Sequence, residues 1–269
     1  MAHIVEGEHI VPVWVEACNF LDNQPNYRHD NLILQINHPT QYLPEEHAKI
    51  AEANRLLKAC DCHSSIRTVS GTIFPTSVYR RYGRPDFYER YHDIYDKGKK
   101  PGTWGTYFER MTRVPSRRDA EYINPLDDLV NKIKNRIDND QRILRSFYEL
   151  GITNVEEDLG FEIPIYEPNR FRNVINNMPC LSHLSFKLLK NNDVFFTNMT
   201  AVYRSHYYAS KTLGNLIGLS ELLSFVASES GTDVGTLTCV STDAKLDHVK
   251  LGGKRSCRAL LNNQMDIVD

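Results

Sequence analysis

The spacing of apolar positions changes along the chain, and with it the predicted element. Residues 31–36 read Asn-Leu-Ile-Leu-Gln-Ile, a strand stopped by His38-Pro39. Pro44-Glu45-Glu46 opens a helix over 44–59, where Ile50, Ala53, Leu56 and Leu57 recur at helical spacing. Residues 66–74, rich in Ile, Thr and Val, predict a short strand. The Tyr- and Arg-rich stretch 79–100 reads as helix plus loop, with Lys97 to Lys100 forming a solvated loop. Asn124-Pro125 starts a further helix carrying Leu126, Leu129, Val130 and Ile133 on one stripe.

The second half is more regular. Strands are predicted at 161–166, 183–189 and 194–203, the last two joined by Lys190-Asn191-Asn192-Asp193, a turn-forming run. Residues 213–227 are apolar around most of a helical circumference, so this helix is predicted to be buried, with Gly231 ending it. A final strand follows at 236–240. Strand, strand, buried helix, strand predicts an α+β fold: a mixed, partly antiparallel sheet layered with helices around one long buried helix. At 269 residues the chain fits a single domain spanning 1–269.

Composition narrows the function. The net charge of −2 argues against a protein that tracks nucleic acid, so any phosphate site is local. No basic leader and no apolar run of about 18 residues is present, which predicts no membrane partner and a cytoplasmic location. The six cysteines show no zinc-type pair spacing and no disulfide framework; Cys60-Asp61-Cys62-His63 reads as a helix end, and no metal is expected.

The chemistry-bearing candidates lie late in the chain. Cys180, in Met178-Pro179-Cys180, is a nucleophile if ionised, and a neighbouring arginine lowers a thiol's pKa. Arg204 ends the strand at 194–203, on the parity of Val194, Phe196 and Val202, and needs a counter-charge. A phosphate suits its planar fork of donors, as does an Asp or Glu. Asn215 lies between Leu213, Leu216 and Ile217 and carries a donor and an acceptor that match the N3–H and O4 edge of uracil, or backbone groups. Cys239 reads as core. His183 and His206 are read as structural, with proton shuttling as the other possibility.

In order and spacing these residues resemble the thymidylate synthase superfamily, in the style of its archaeal branch. Pro179-Cys180-Leu181-Ser182 is similar to the family's nucleophile loop. Tyr203-Arg204-Ser205 is similar to its Gln-Arg-Ser, and Asn215, eleven residues on, to its pyrimidine-reading Asn. Thr242-Asp243-Ala244 resembles Gly-Asp-Ala, and Thr106-Tyr107-Phe108-Glu109-Arg110-Met111 the archaeal Tyr-x-Glu-Arg-Leu segment. Trp14 with 31–39, and Glu167-Pro168, resemble the family's first helix and strand and its Asn-Pro.

The resemblance implies a methyl- or hydroxymethyltransferase acting at C5 of a pyrimidine nucleoside monophosphate such as UMP or dUMP. Cys180 would add to C6, with 5,10-methylenetetrahydrofolate as one-carbon donor, in a homodimer paired across a sheet face. It implies catalytic roles for Cys180, Asn215 and Glu109, with Glu89 the other candidate for the acid. It implies substrate contacts from Arg204, Ser205, Asn215, Asp243, Lys245 and Asp247, with Arg28 where a phosphate-loop arginine would stand. The chain departs from the family at Tyr207, an aspartate there, and at Lys245 and Asp247, where the family's His-x-Tyr binds the sugar. None of Arg142, Arg170 and Arg172 matches the arginines that a partner subunit donates. A cytidylate hydroxymethylase and a nucleotide-binding regulator without folate chemistry are the alternatives.

Overall fold

The computed structural model describes residues 1–60, 65–99, 104–116, 122–144, 146, 148–152 and 179–262. Their elements run β1 (His3–Gly7), α1 (Ile10–Asp22), β2 (Arg28–Ile36), α2 (Pro44–Ala59), α3 (Ile66–Ile73), α4 (Thr76–Tyr82), α5 (Asp86–Gly98) and α6 (Tyr107–Thr112). Then follow β3 (Val114–Pro115), β4 (Tyr122–Ile123), α7 (Pro125–Asp138), β5 (Glu149–Gly151), β6 (Leu181–Asn191), β7 (Val194–Tyr203), β8 (His206–Tyr207), α8 (Leu213–Ser230), β9 (Asp233–Lys245) and α9 (Gly253–Leu261). The expected α+β class holds.

The main sheet has the order β1-β2-β9-β7-β6-β5, with β8 added to the end of β9. It is mixed. β2 runs antiparallel to β9, and β6 antiparallel to both β7 and β5, while β1 runs parallel to β2 and both β7 and β8 parallel to β9. The β6–β7 hairpin closes on the predicted turn, with Asn192 in the left-handed region at φ 53°, a conformation Asn tolerates better than most residues. Alternation sorts the two faces. Leu32, Leu34, Met199, Ala201, Tyr203, Leu237, Cys239 and Ser241 are buried, and Ile33, Gln35, Thr200, Val202, Thr238 and Val240 are half-exposed.

Helix α8 packs on the buried face. Its apolar side chains from Leu213 to Val226 join one core with α1, α3 and α7, and Gly231, at φ 75°, ends it as predicted.

The stretch 66–74 is a helix, α3, and not the expected strand. Ile66, Val69, Ser70 and Ile73 are buried at helical spacing, and the Ser65 hydroxyl accepts the Thr68 N–H at 3.1 Å as an N-cap. A single buried stripe against α8 outweighs the β-propensity of Ile, Thr and Val. Lys97 likewise lies in the last turn of α5 and not in a loop. The last strand is far longer than 236–240, and the strand at 183–189 begins at Leu181. The strand expected at 161–166, with Glu167-Pro168, Arg170, Arg172, Cys62 and His63, lies outside the described residues.

Candidate active site at one end of the sheet

Strand register places most of the candidates side by side. Leu181, after Cys180, pairs with Tyr203, before Arg204, and Tyr203 pairs with Ser241. Farther along the same sheet end, Arg28 faces Lys245 across β2–β9, and Tyr207 faces Lys245 across β8–β9. Cys180, Arg204, Ser205, Asp243, Lys245 and Arg28 therefore line one rim of the sheet.

The two central residues touch through their backbones. Arg204 N–H donates to the Cys180 carbonyl at 2.9 Å, and its guanidinium donates to the Pro179 carbonyl. The Thr242 hydroxyl donates to the carbonyls of Tyr203 and Arg204, at 3.2 and 3.0 Å, which ties this corner to β9. Arg204 continues the parity of Val194, Phe196 and Val202, but these are exposed or half-exposed. Its face is thus the open one, while Tyr203 faces the core; the sheet's helical cover decides this, and strand alternation alone does not.

Cys180 is half-buried. Burial raises its thiol pKa above the usual value, and the positive fields of Arg204 and Lys211 oppose the rise without cancelling it. The arginine lowers the thiol's pKa as the sequence predicts, but desolvation outweighs the two cations at this sulfur. Tyr107 completes the corner. Its hydroxyl accepts the Leu181 N–H at 3.4 Å. Burial foremost, and then the nearby Cys180, hold that hydroxyl protonated. Beneath them the Tyr203 hydroxyl is buried with no hydrogen-bond partner among the described residues.

The other candidates have mixed positions. Asp243 takes the Arg28 guanidinium on both carboxylate oxygens, one of these bonds at 2.6 Å, and accepts the Ser205 hydroxyl at 3.3 Å. The arginine, first of all, holds the Asp243 carboxyl below its usual range. Asp247 accepts the backbone N–H groups of Ala209 and Ser210, at 2.9 and 3.3 Å, and so shapes the turn before α8. Lys245 is exposed at the rim. Glu109, at the start of α6, lies 3.7 Å from Lys99 and near Tyr95 of α5, whose hydroxyl is held protonated by burial first and then by this carboxylate.

Asn215 is 5% exposed, in the first turn of α8. Its amide nitrogen lies 3.0 Å from His206 Nε2, whose Nδ1 lies 3.0 Å from the Ser241 hydroxyl. That hydroxyl is 3.0 Å from the Tyr208 hydroxyl. The His206 ring stacks on Tyr203 at 4.0 Å, so Asn215 connects to the Cys180 corner through His206 and Tyr203 and not directly. Burial lowers the His206 pKa to about 3. His183 lies on β6 and pairs with Glu149 at 2.8 Å. Cys239 is buried in the core, as read. Sequence reading gave Tyr107 and Lys211 no role: Tyr107 was legible only as part of a motif, and Lys211 carried no signal.

A cavity of about 1180 Å³ lies elsewhere, between α2, α3, α4 and the second half of α8, lined among others by Tyr42, Arg67, Arg80 and Glu221. It contains none of the rim residues. Among the described residues no group of His, Cys, Asp and Glu could hold a metal, and no helix is long and apolar enough to cross a membrane.

No family model matches the chain. Proteins named "Putative thymidylate synthase" from Methanosarcina barkeri, Methanosarcina mazei and Methanococcoides burtonii are 36%, 35% and 35% identical to it over 75 residues, 28% of this chain. The match spans about a third of the length of these curated relatives, 33% of each. The solved thermostable thymidylate synthase A from Bacillus subtilis aligns with a TM-score of 0.44 and 13% identity, over 87% of this chain and 70% of that one.

Proposed function

We propose that this chain, thymidylate synthase-like over its matched 75 residues, transfers a one-carbon unit to C5 of a pyrimidine nucleoside monophosphate, with UMP or dUMP the substrate. The observation that carries the reading is the corner where Cys180 and Arg204 meet, backbone to backbone at 2.9 Å, at the open rim of the sheet.

The chemistry follows from the groups there. The Cys180 thiolate adds to C6 of the base, forming a C–S bond and moving the C5–C6 electron pair toward C5 and O4. Arg204 and Lys211 favour the anionic sulfur, and in this reading Arg204 with Ser205 binds the 5′-phosphate, which prefers a planar fork of donors. Asn215 holds the base edge and stabilises charge developing on O4. The neutral Tyr107 hydroxyl anchors the sulfur's loop and can pass a proton on, and Glu109, two residues along α6, is the acid that serves as the base in this reading. Asp243 and Arg28 occupy each other, so they act on the substrate as a polar wall with Lys245; Asp247 acts by shaping the loop.

Methylenetetrahydrofolate is the one-carbon donor in this reading, and the half-exposed Trp104 ring beside Tyr107, 4.7 Å away and tilted by 45°, is the aromatic group at this corner against which a pterin could pack. When bound, the folate would supply carbon at the methylene level; the C5 proton then leaves and the C6–S bond to Cys180 breaks, and hydride from the same folate would complete a methyl product, or water in its place a hydroxymethyl one. The protein is read as cytoplasmic, as a single domain, and as a homodimer joined through the half-exposed sheet face.

Tritium release from C5 of labelled UMP, dUMP, CMP and dCMP, with and without methylenetetrahydrofolate, tests the reading. Folate-dependent release from a uracil nucleotide is expected, and Cys180→Ser abolishes it. Nucleotide binding without release would leave a regulator in place of an enzyme, and the absence of both would overturn the reading.

A further inference from the structure

We infer that His206 is a positioning residue that fixes which way round the Asn215 amide faces and thereby selects uracil over cytosine. The inference rests on the nucleotide reading above. An Asn amide can present its oxygen and nitrogen in two orientations related by a half-turn about χ2. One offers an acceptor to N3–H and a donor to O4, which matches uracil. The other offers a donor to N3 and an acceptor to the N4 amine, which matches cytosine.

In this structure the amide nitrogen faces His206 Nε2 at 3.0 Å. An NH₂ group only donates, so Nε2 must carry its lone pair, and the ring proton must sit on Nδ1. Nδ1 then donates to the Ser241 hydroxyl at 3.0 Å, itself held at 3.0 Å by Tyr208. The Tyr208 carbonyl in turn accepts the Trp14 indole N–H at 2.8 Å, which fixes the chain of bonds to α1. The histidine cannot turn its ring over freely, because it is 1% exposed and stacks nearly parallel on the Tyr203 ring, centroids 4.0 Å apart. Complete burial also keeps it neutral.

Turning the amide would set its oxygen against the Nε2 lone pair. Relief would require the proton to move from Nδ1 to Nε2 and Ser241 to become the donor, a concerted inversion of the whole chain. One amide N–H is spent on His206. The Asn215 oxygen and second N–H have no protein partner among the described residues, and these two groups are the pair that reads a uracil edge.

The test combines a spectroscopic and a binding measurement on the full chain. Long-range ¹H–¹⁵N correlation of the His206 ring, assigned by its loss in His206→Phe, should show Nδ1 protonated and Nε2 bare across neutral pH; a proton on Nε2 overturns the inference. Calorimetric titration with UMP and CMP should show UMP preferred. His206→Phe, which keeps the stacked ring but removes the acceptor, should shrink that preference by about tenfold or more, the scale of one mismatched bidentate contact. His206→Gln, which can place an acceptor where Nε2 stands, should restore it. A purely structural role would weaken both nucleotides equally, and an unchanged UMP-to-CMP ratio in His206→Phe overturns the inference. If His206→Phe fails to fold, the tautomer in the native protein decides, with the His206 ring signals assigned by their loss in His206→Gln. If the native protein binds neither nucleotide, the nucleotide reading fails and this inference with it, whatever the tautomer.

Discussion

The sulfur of Cys180 experiences opposed influences. Burial favours the neutral thiol, while Arg204 and Lys211 favour the thiolate, and burial prevails in the protein alone. A free thiol titrates near about 8.5, so alkylation of Cys180 by iodoacetamide should have its midpoint above that pH, with the rate still rising where an ordinary cysteine has levelled off. Arg204→Gln removes one of the two opposing fields, and the midpoint should climb further. Peptide mapping by mass spectrometry, following residue 180 alone, reads both midpoints; a native value at or below the free-thiol pH contradicts the balance described here. Much of this corner was legible in the sequence, because Pro179-Cys180 and Arg204-Ser205 bring their own local chemistry. Tyr107 and Lys211 were not, because the bond of Tyr107 to the Leu181 N–H and the field of Lys211 at the sulfur depend on a fold that no local spacing encodes. The link from Asn215 to His206 was equally hidden, since two polar residues nine apart meet only because a tight turn folds one over the other.

Elements meet more closely than their sequences suggest. Helix α3 crosses α8 at two glycines: a Cβ on Gly214 would stand 2.7 Å from Val69 Cβ, and one on Gly218 2.7 Å from the Ser70 carbonyl oxygen. Local propensity errs here for a definite reason. Ile66, Thr68, Val69, Thr72 and Ile73 favour strands in isolation, but α8 offers a smooth glycine surface that only a closely approaching helix can fill. The expected buried helix at 213–227 held because its apolar character needs no partner to be read. Gly218→Ala separates the two effects. On an isolated helix alanine would gain about 1 kcal/mol over glycine. Here the new methyl meets backbone that cannot yield cheaply, so a net loss of about 1–3 kcal/mol is expected from overpacking, measured as a lower urea midpoint at unchanged m-value. A neutral or stabilised Gly218→Ala would show that α3 and α8 are not in close contact.

At the scale of the whole molecule, the sheet has one face under α8 and its neighbours and another without helical cover among the described residues. Antiparallel sheets tolerate water on one side, and a wholly solvated face is usually rich in charge. Over β2, β9 and β7 this one instead carries Ile33, Val202 and Val240 half-exposed among Thr200, Thr236 and Thr238, with the ion-paired Glu149, His183 and Lys187 at its β5–β6 edge. Such a surface suits a second sheet better than open solvent, and a self-complementary interface places the same strands against each other about a two-fold axis. Thr200 sits near its middle, paired with Ser185 on β6 and with Thr238 on β9. Its side chain points away from the core filled by Met199 and Ala201, so Thr200→Arg should leave the chain folded while setting like charges against each other across the axis. Sedimentation velocity at micromolar concentration should give twice the chain mass for the native protein and a single chain mass for Thr200→Arg, with far-ultraviolet circular dichroism unchanged. A native protein that sediments as one chain would refute the pairing and require the rim around Cys180 to work within a single subunit.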